Sequence, residues 1–136
     1  MARRLTDADY AELLRFRDAL RRFLHWSEQQ ARAAGLTPAQ HQLLLAVRGH
    51  PGDPTIGEVA EHLLLRHHSV VELVDRAERA GLLHRVADPD DHRVVRLVLS
   101  EEGEARLAAL SAAHLDELAR LQHGLRLQRL APDADH

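Results

Sequence analysis

Apolar residues recur at every third or fourth position through most of this chain, which is the spacing of one face of an α-helix. The first such run predicts a long helix over 7–34 that is capped by Thr6. Thr37 and Thr55 each open a capping-box pattern, and they predict two shorter helices on either side of a Pro- and Gly-rich loop at 50–54. Most of the N-terminal half is therefore expected to be helical.

A fourth helix is predicted after a very short turn. Residues 64–66 separate it from the preceding helix, and its apolar stripe extends from about His67 to Ala80. Gly81 is placed to end it. Two helices joined by a turn of about three residues are typical of a helix-turn-helix.

The periodicity changes in the next segment. Residues 82–86 and the β-branched run 93–99 predict two strands, and the aspartate-rich segment 88–91 predicts the turn between them. Ser100 is then expected to cap a final helix over about 100–122. The predicted fold is mainly α with a small β-hairpin (an α+β chain), arranged as a winged helix-turn-helix.

The helices at the two ends lie outside this module, and their apolar faces have no obvious partner in so small a domain. Pairing with the same helices of a second copy would bury these faces and give a two-fold homodimer. We therefore expect a single domain over 1–136. Within it, we expect dimerisation helices at 1–34 and 101–131 and a winged helix-turn-helix module at 36–99.

Length and composition narrow the possible classes of protein. The 136 residues suffice for one domain, and the absence of cysteine excludes disulfides, thiolate metal ligands and thiol-based sensing. Apolar runs are shorter than the roughly 18–20 residues needed to span a bilayer, and no apolar signal segment follows the N-terminus, so a cytoplasmic protein is expected. A net charge of −3 argues against a surface coated with positive charge, although one positive face is enough to bind nucleic acid.

The segment 35–103 resembles the MarR family of bacterial transcriptional regulators. The resemblance lies in the entry to the second helix at 36–40, in the first helix of the helix-turn-helix at 56–63 and in the recognition helix at 70–82. Four residues match the family's wing signature, in which Asp-x-Arg is followed after five residues by Leu and Thr or Ser: Asp91, Arg93, Leu99 and Ser100. The resemblance implies a repressor that a small-molecule effector releases from a pseudo-palindromic operator.

Four positions depart from the family's pattern. Leu64 stands where glycine is common in the turn, and Arg66 stands where serine or threonine usually caps the recognition helix. Glu72 replaces a residue that is often basic or amide-bearing, and His92 replaces a frequent arginine. These differences bear on the operator sequence rather than on the fold.

The first turns of the fourth helix carry the side chains expected to face DNA. A helix-turn-helix places its second helix in the major groove, where each base pair shows a distinct pattern of donors and acceptors. The side chains so placed are Arg66, His67, His68, Ser69 and Glu72, with Arg76 one turn further on and within reach of the DNA backbone. Outside this order of elements, the same residues would be interpreted as solvated charges on an exposed helix.

Arg93 lies near the tip of the predicted hairpin, and the resemblance implies that it enters the minor groove of DNA. Asp91 would orient this arginine, unless the two form an ordinary surface pair. Arg85 and Arg96 flank the hairpin and are expected to reach phosphate. Between 62 and 96, six arginines are balanced by six acidic residues, so a winged-helix module that binds protein instead of DNA is an alternative.

The resemblance also implies an effector pocket between the dimerisation helices and the winged module. The helices that would line it carry Arg15, Arg22, His25, Trp26 and His41. Arginine and histidine could bind an anionic aromatic ligand by charge and stacking. Packing at a dimer interface would explain the same residues equally well.

Eleven histidines raise the alternative of a zinc- or other metal-responsive regulator of the same fold. Zinc-sensing relatives use side chains of the first, second and fifth helices, where Glu28, His41 and His114 fall. A pair of histidines at the helical spacing that suits a metal is missing, so neither a metal site nor a cofactor is expected. The sequence also lacks a glycine-rich phosphate loop, a nucleophile elbow and a convergent acid–base set, so an enzyme is not expected.

Overall fold

The computed structural model describes residues 3–124, with side chains up to residue 123. Its elements in chain order are α1 (Asp7–Ala33), α2 (Pro38–Gly49), α3 (Ile56–Leu63), α4 (His67–Arg79), β1 (Leu83–Ala87), β2 (Val95–Leu99) and α5 (Glu101–Gly124). This order confirms the predicted class, a mainly α chain with one small hairpin. The last part of the predicted C-terminal dimerisation helix, 125–131, lies outside the described residues.

Threonine capping boxes begin the first three helices. Thr37 and Thr55 each accept a hydrogen bond from the backbone three residues on, as predicted, and the Gln or Glu there accepts one in return. At Thr6 an aspartate replaces the usual glutamate, yet the box is complete, because Asp9 Oδ2 accepts from the Thr6 backbone N–H at 2.9 Å. Each box satisfies amides that would otherwise lack a partner, so these helix starts are set locally.

Helix α2 lies at the centre of the fold and packs against α1, α3, α4, β2 and α5. Its Leu43 and Leu44 are fully buried, as are Val70 and Val74 of α4. Burying one aliphatic side chain of this size contributes about 1.5–3 kcal/mol. The core therefore sets the position of α4 relative to the rest of the molecule.

The two strands pair in antiparallel register from Leu83↔Leu99 to Ala87↔Val95. The second strand begins two residues later than the sequence predicts. The Val94 N–H donates to the Asp91 carbonyl at 2.9 Å, so these residues close a turn instead of extending the strand. The hairpin tip is consequently longer and more tightly folded than expected.

The hairpin is attached to the body of the protein through its second strand. Leu97 is fully buried, and its backbone N–H donates to the Pro54 carbonyl at 2.8 Å. Pro54 belongs to the loop that leads into α3. The base of the wing is thereby held against the helix-turn-helix by both apolar packing and a backbone hydrogen bond.

Large apolar side chains of α1 and α5 are exposed in the single chain. They are Tyr10, Leu13, Leu14, Phe16, Leu24, Leu115 and Leu118. The two helices pack against each other. Exposed apolar surface of this kind is typical of an interaction site. Within the described residues, no helix combines the length and the apolar character that crossing a membrane requires.

The turn between α3 and α4 contains a strained residue. Leu64 has a φ of 55°, in the left-handed region, and its side chain is 91% exposed. A β-carbon in this conformation costs roughly 1–2 kcal/mol, and an exposed side chain regains little of that cost by packing. The departure from glycine noted in the sequence therefore falls on a position where glycine would relieve strain.

Leu64→Gly is expected to raise the free energy of unfolding by about 0.5–1 kcal/mol, because strain is removed and little packing is lost. Leu65→Gly is the matched control, since Leu65 does not have a positive φ; it is expected to destabilise the protein. Urea unfolding monitored by circular dichroism measures both changes. A Leu64→Gly variant no more stable than wild type would contradict the assignment of strain.

Candidate nucleic-acid interface

Helix α4 has one buried face and one exposed polar face. Val70, Val74 and Ala77 are buried at helical spacing. The residues predicted to face DNA lie elsewhere on the helix: Arg66, His67, His68, Glu72 and Arg76 are exposed, and Ser69 is half-buried. The apolar spacing along the sequence therefore separated the inward from the outward residues of this helix.

Arg66 occupies the N-cap of α4 but makes no capping hydrogen bond with its side chain. Its carbonyl accepts from the backbone N–H groups of Ser69 and Val70 at 3.0 and 3.2 Å, as in any helix start. A serine or threonine at this position would cap the helix and typically stabilise it by about 1 kcal/mol. The exchange for arginine gives up that stability and places a guanidinium at the start of the helix.

Arg85 of β1 pairs with two carboxylates of α4. Its Nη2 donates to Asp75 Oδ1 at 2.7 Å, and its Nη1 donates to Glu78 Oε1 at 2.6 Å. The Arg85 backbone N–H also contacts Glu78 Oε2 at 3.3 Å. The predicted phosphate contact of Arg85 is untested. In the structure, its guanidinium binds these two carboxylates of α4 instead. It offsets part of the negative charge of α4 and ties that helix to the hairpin.

The wing arginine is exposed and yet oriented. Arg93 has a side chain that is 91% exposed, and its Nε and Nη2 donate to the two oxygens of Asp91 at 3.1 and 3.3 Å. The Asp91 carboxylate also accepts from the Arg93 backbone N–H at 3.1 Å. These hydrogen bonds, the side-chain ones first, lower the pKa of Asp91 below its ordinary value, so this carboxylate stays charged and holds the arginine.

Arg96, which was expected to reach phosphate, points into a set of protein acceptors. Its Nε donates to Asp88 Oδ2, and its Nη1 donates to the Asp53 carbonyl at 2.8 Å. Its Nη1 also lies 3.6 Å from Glu58 Oε1. The sequence did not indicate the last two of these partners, because Asp53 and Glu58 precede Arg96 by about forty residues.

The residues expected to bind an effector separate into two groups. Trp26 and His41 approach each other through His114 of α5, whose ring centroid lies 4.8 Å from each of their ring centroids. Arg22 and His25 are exposed on α1. Arg15 lines a different, open groove of about 440 Å³ on α1. The structure thus assembles the aromatic part of the predicted site, with His114 added, and leaves Arg15 apart from it.

His114 is held in a defined orientation by α1 and by its own helix. Its Nδ1 contacts the Leu110 carbonyl at 2.7 Å, and a carbonyl can only accept, so Nδ1 carries a proton. The other nitrogen, Nε2, lies 2.6 Å from Ser27 Oγ and accepts from that hydroxyl in the neutral ring. The sequence had singled out His114 only as a candidate for the metal-responsive alternative. Its spacing of four positions from Leu110, which is buried, places it on the same face of α5.

Glu28, His41 and His114, which the metal-responsive alternative would use, do not form a metal site here. Glu28 contacts Arg32, and both nitrogens of His114 have protein partners. Among the described residues, no group of three or more His, Asp or Glu side chains is arranged to hold a metal ion. The metal-responsive alternative therefore gains no support.

His41 makes the stability of the protein depend on pH. It is 7% exposed, and burial, followed by the nearby His114, lowers its pKa below the ordinary value of 6.5. As the pH falls through 6.5, the unfolded chain takes up a proton at this position while the folded chain does not. The free energy of unfolding should therefore decrease on acidification, until the pKa of the folded state is reached.

Thermal unfolding between pH 7.5 and pH 5.5 measures this effect. Wild type is expected to lose stability over this interval, and His41→Gln is expected to lose less, since it removes the titrating group. His92→Gln serves as the control because His92 is exposed on the wing, and it should keep the wild-type pH dependence. An unchanged pH dependence in His41→Gln would show that other groups cause it.

Comparison with known proteins shows which family this chain resembles. A sequence profile of the MarR family matches residues 34–94. The transcriptional repressor MdtR of Bacillus subtilis is 31% identical over 86 residues, which are 63% of this chain and 55% of MdtR. The chain thus spans about half the length of the curated relatives that it matches.

Solved structures extend the comparison to nearly the whole fold. A MarR family protein from Bacillus stearothermophilus has 28% identity and a TM-score of 0.74, covering 88% of this chain and 83% of that one. Two structures of lower identity share the fold. MepR of S. aureus bound to an oligodeoxyribonucleotide has 22% identity and a TM-score of 0.67 over 89% and 84% of the two chains. BpsR of Bordetella bronchiseptica has 23% identity and a TM-score of 0.61 over 88% and 82% of the two chains. The DNA binding of BpsR is regulated by 6-hydroxynicotinic acid.

The winged helix-turn-helix and these matches agree with each other. Over residues 34–94 the chain is similar to the MarR family, and it shares the fold of MarR family structures.

Proposed function

We propose that this protein is a transcriptional regulator that binds double-stranded DNA through α4 and the wing. The observation that carries the proposal is the Asp91–Arg93 pair, because a guanidinium that is 91% exposed gains nothing for the fold from being held by two hydrogen bonds. MarR family members are DNA-binding regulators and not enzymes, in agreement with the prediction from the sequence. The similarity to MepR, which was solved with an oligodeoxyribonucleotide, supports this mode of action.

In this proposal, α4 lies in the major groove with its polar face against the bases. Arg66, His67, His68 and Ser69 can donate hydrogen bonds to bases or phosphates, and Glu72 can accept from the amino group of cytosine. Arg76, one turn further along, reaches a phosphate. Arg93 enters the adjacent minor groove, where a narrow groove concentrates negative potential that attracts arginine.

Charge balance favours this orientation of the helix. The carboxylates of Asp75 and Glu78 would repel phosphates if they were left alone on α4. Arg85 contacts both carboxylates, at 2.7 and 2.6 Å, and its single positive charge offsets one of their two negative charges. The exposed arginines of α4, which are Arg66, Arg76 and Arg79, then outnumber the negative charges that remain on this helix, so the surface presented to DNA is positive.

We propose further that the protein acts as a homodimer through α1 and α5. The exposed apolar side chains of these helices would be covered by the same side chains of a second copy. A two-fold dimer presents two copies of α4, which suits a pseudo-palindromic operator with half-sites about one helical turn apart. Sedimentation equilibrium should give twice the mass of the chain, and a monomer at micromolar concentration would count against this assembly.

A small anionic aromatic molecule is the proposed effector, and it would release the repressor from its operator. Trp26, His41 and His114 lie together where α1, α2 and α5 meet, with the exposed Arg22 on the same helix as Trp26. The regulation of the similarly folded BpsR by 6-hydroxynicotinic acid supports an effector of this class. Trp26 is the only tryptophan of the chain, so quenching of its fluorescence by added aromatic acids tests binding directly.

DNA binding itself is tested by fluorescence anisotropy with labelled duplexes from the region upstream of the protein's own gene. We expect saturable binding to a duplex containing an inverted repeat, and weaker binding to the same duplex with scrambled half-sites. The affinity should fall as salt is raised, because phosphate contacts release counterions. Equal, weak binding to every duplex would instead favour a winged-helix module that binds protein.

A further inference from the structure

Arg96 joins three separate segments of the protein. Its contacts are with Asp88 at the end of β1, with the Asp53 carbonyl in the loop before α3, and with Glu58 in the first turn of α3. Its side chain is 32% exposed, compared with 91% for Arg93. This arginine is therefore directed inward, toward the junction of the wing and the helix-turn-helix.

Asp88 transmits this contact to the tip of the wing. One of its carboxylate oxygens accepts from Arg96, and the other accepts from the backbone N–H groups of Asp90 and Asp91 at 2.8 and 3.0 Å. The hydrogen bond from Arg96, followed by those from the two amides, lowers the pKa of Asp88 below its ordinary value. Because the Asp91 backbone is held in this way, so is the carboxylate that orients Arg93.

Glu58 fixes the other end of the same network. Its Oε1 accepts from the Thr55 backbone N–H at 3.0 Å, and its Oε2 lies 2.8 Å from His50 Nε2. The first of these, the Thr55 backbone hydrogen bond, is the largest reason that the pKa of Glu58 is lowered, so Glu58 is a charged acceptor and His50 donates to it. His50 Nδ1 in turn lies 2.9 Å from His62 Nε2. Arg96 is thus bound to a carboxylate that α3 itself holds in place.

We propose that Arg96 is a positioning residue for DNA binding: it holds the wing against the helix-turn-helix so that Arg93 is presented to the minor groove, and it makes no phosphate contact of its own. This inference rests on the proposed function. It differs from the expectation drawn from the sequence, in which Arg96 at the flank of the hairpin reaches phosphate. A positioning role and a phosphate contact predict different salt dependences and different couplings to Arg93.

Anisotropy titrations of Arg96→Ala at several salt concentrations separate the two roles. Loss of a phosphate contact reduces the slope of log K against log salt by about one, as expected for Arg76→Ala. If Arg96 only positions Arg93, Arg96→Ala weakens binding no more than Arg93→Ala does. Because Arg96 then contacts no phosphate, the loss of its charge does not itself change the slope of log K against log salt. In the Arg93→Ala background, adding Arg96→Ala should then cost nothing further.

Two additional variants distinguish the loss of the hydrogen bonds of Arg96 from misfolding and from the loss of its charge. Arg96→Lys keeps the charge but cannot donate to Asp88, Asp53 and Glu58 at once, so it should behave like Arg96→Ala. Asp88→Asn removes the charged acceptor without touching a cation, and it should lower affinity with an unchanged salt slope. Full recovery of binding by Arg96→Lys, or additive losses in the double variant, would overturn the proposal.

A measurement on the free protein makes the result independent of DNA binding. Heteronuclear NOE values of the Asp90 and Asp91 amides should fall in Arg96→Ala and stay at wild-type values in Arg93→Ala. Wing amides that remain as rigid in Arg96→Ala as in wild type would refute the positioning role, whether or not DNA binds. If the wild-type protein binds no operator but the wing loosens as expected, the proposed function fails and the structural role of Arg96 stands.

Discussion

Arg93→Ala is expected to weaken operator binding by roughly 5- to 150-fold, which corresponds to the loss of a contact typically worth about 1–3 kcal/mol. The side chain is 91% exposed and contacts Asp91, its neighbour in the wing turn, so its loss should leave the thermal midpoint almost unchanged. Anisotropy titration measures the affinity, and differential scanning calorimetry measures the stability. Weaker DNA binding together with unchanged stability would indicate that the Arg93 side chain contacts DNA and does not stabilise the fold.

Arg21→Ala is the matched control for this substitution. Arg21 is also exposed and also pairs with a nearby carboxylate, Asp18, but it lies on α1. Its replacement should change neither the affinity nor the stability by a measurable amount. If Arg93→Ala binds the operator as tightly as Arg21→Ala does, the role assigned to the wing arginine is wrong.

Gly103→Ala is expected to destabilise the protein by about 3 kcal/mol or more, although alanine is normally the better residue within a helix by about 1 kcal/mol. A β-carbon at position 103 would lie 2.1 Å from the Leu82 carbonyl oxygen, a distance that no side-chain adjustment can relieve. The start of α5 is docked here: the Ser100 N–H donates to the same Leu82 oxygen, and the Ser100 hydroxyl donates to the Gly81 carbonyl. Helix α5 would have to move away from the link between α4 and β1.

Gly57→Ala provides the comparison, since Gly57 also lies in the first turn of a helix. The nearest atom to its added β-carbon would be Thr55 Oγ1 at 3.8 Å, an ordinary contact. This variant should be as stable as wild type or slightly more stable. Urea unfolding of the two variants side by side tests the argument, and similar stabilities for both would contradict the close packing at Gly103.

Features that depend on neighbouring residues could be predicted from the sequence. The three threonine caps and the inward stripe of α4 follow from side chains within one or two turns of each other. The start of β2 could not be predicted, because β-branched residues favour a strand at Val94 while its N–H is taken by the Asp91 carbonyl. Propensity was overridden there by one turn hydrogen bond.

The candidate site divides in the same way. Asp91 and Arg93 are two residues apart, and their pairing could be proposed from spacing and resemblance. Arg85 and Arg96 were expected to reach phosphate because they flank the predicted hairpin. Their partners, Asp75 on α4 and Glu58 on α3, lie at separations that sequence spacing does not address.

The sequence by itself determined the order of the elements, the buried and exposed faces of α4 and the identity of the wing arginine, because periodicity, caps and short-range pairs are encoded locally. Tertiary structure alone decided which arginines pair with carboxylates of other elements and which stay exposed. The tertiary structure also explains why position 103 requires glycine. The backbone carbonyl of Leu82, from a segment distant in the sequence, occupies the space that a β-carbon would need. The net charge of −3 carries little information about binding for the same reason: the fold pairs some charges with each other and leaves others, Arg93 among them, exposed at the surface.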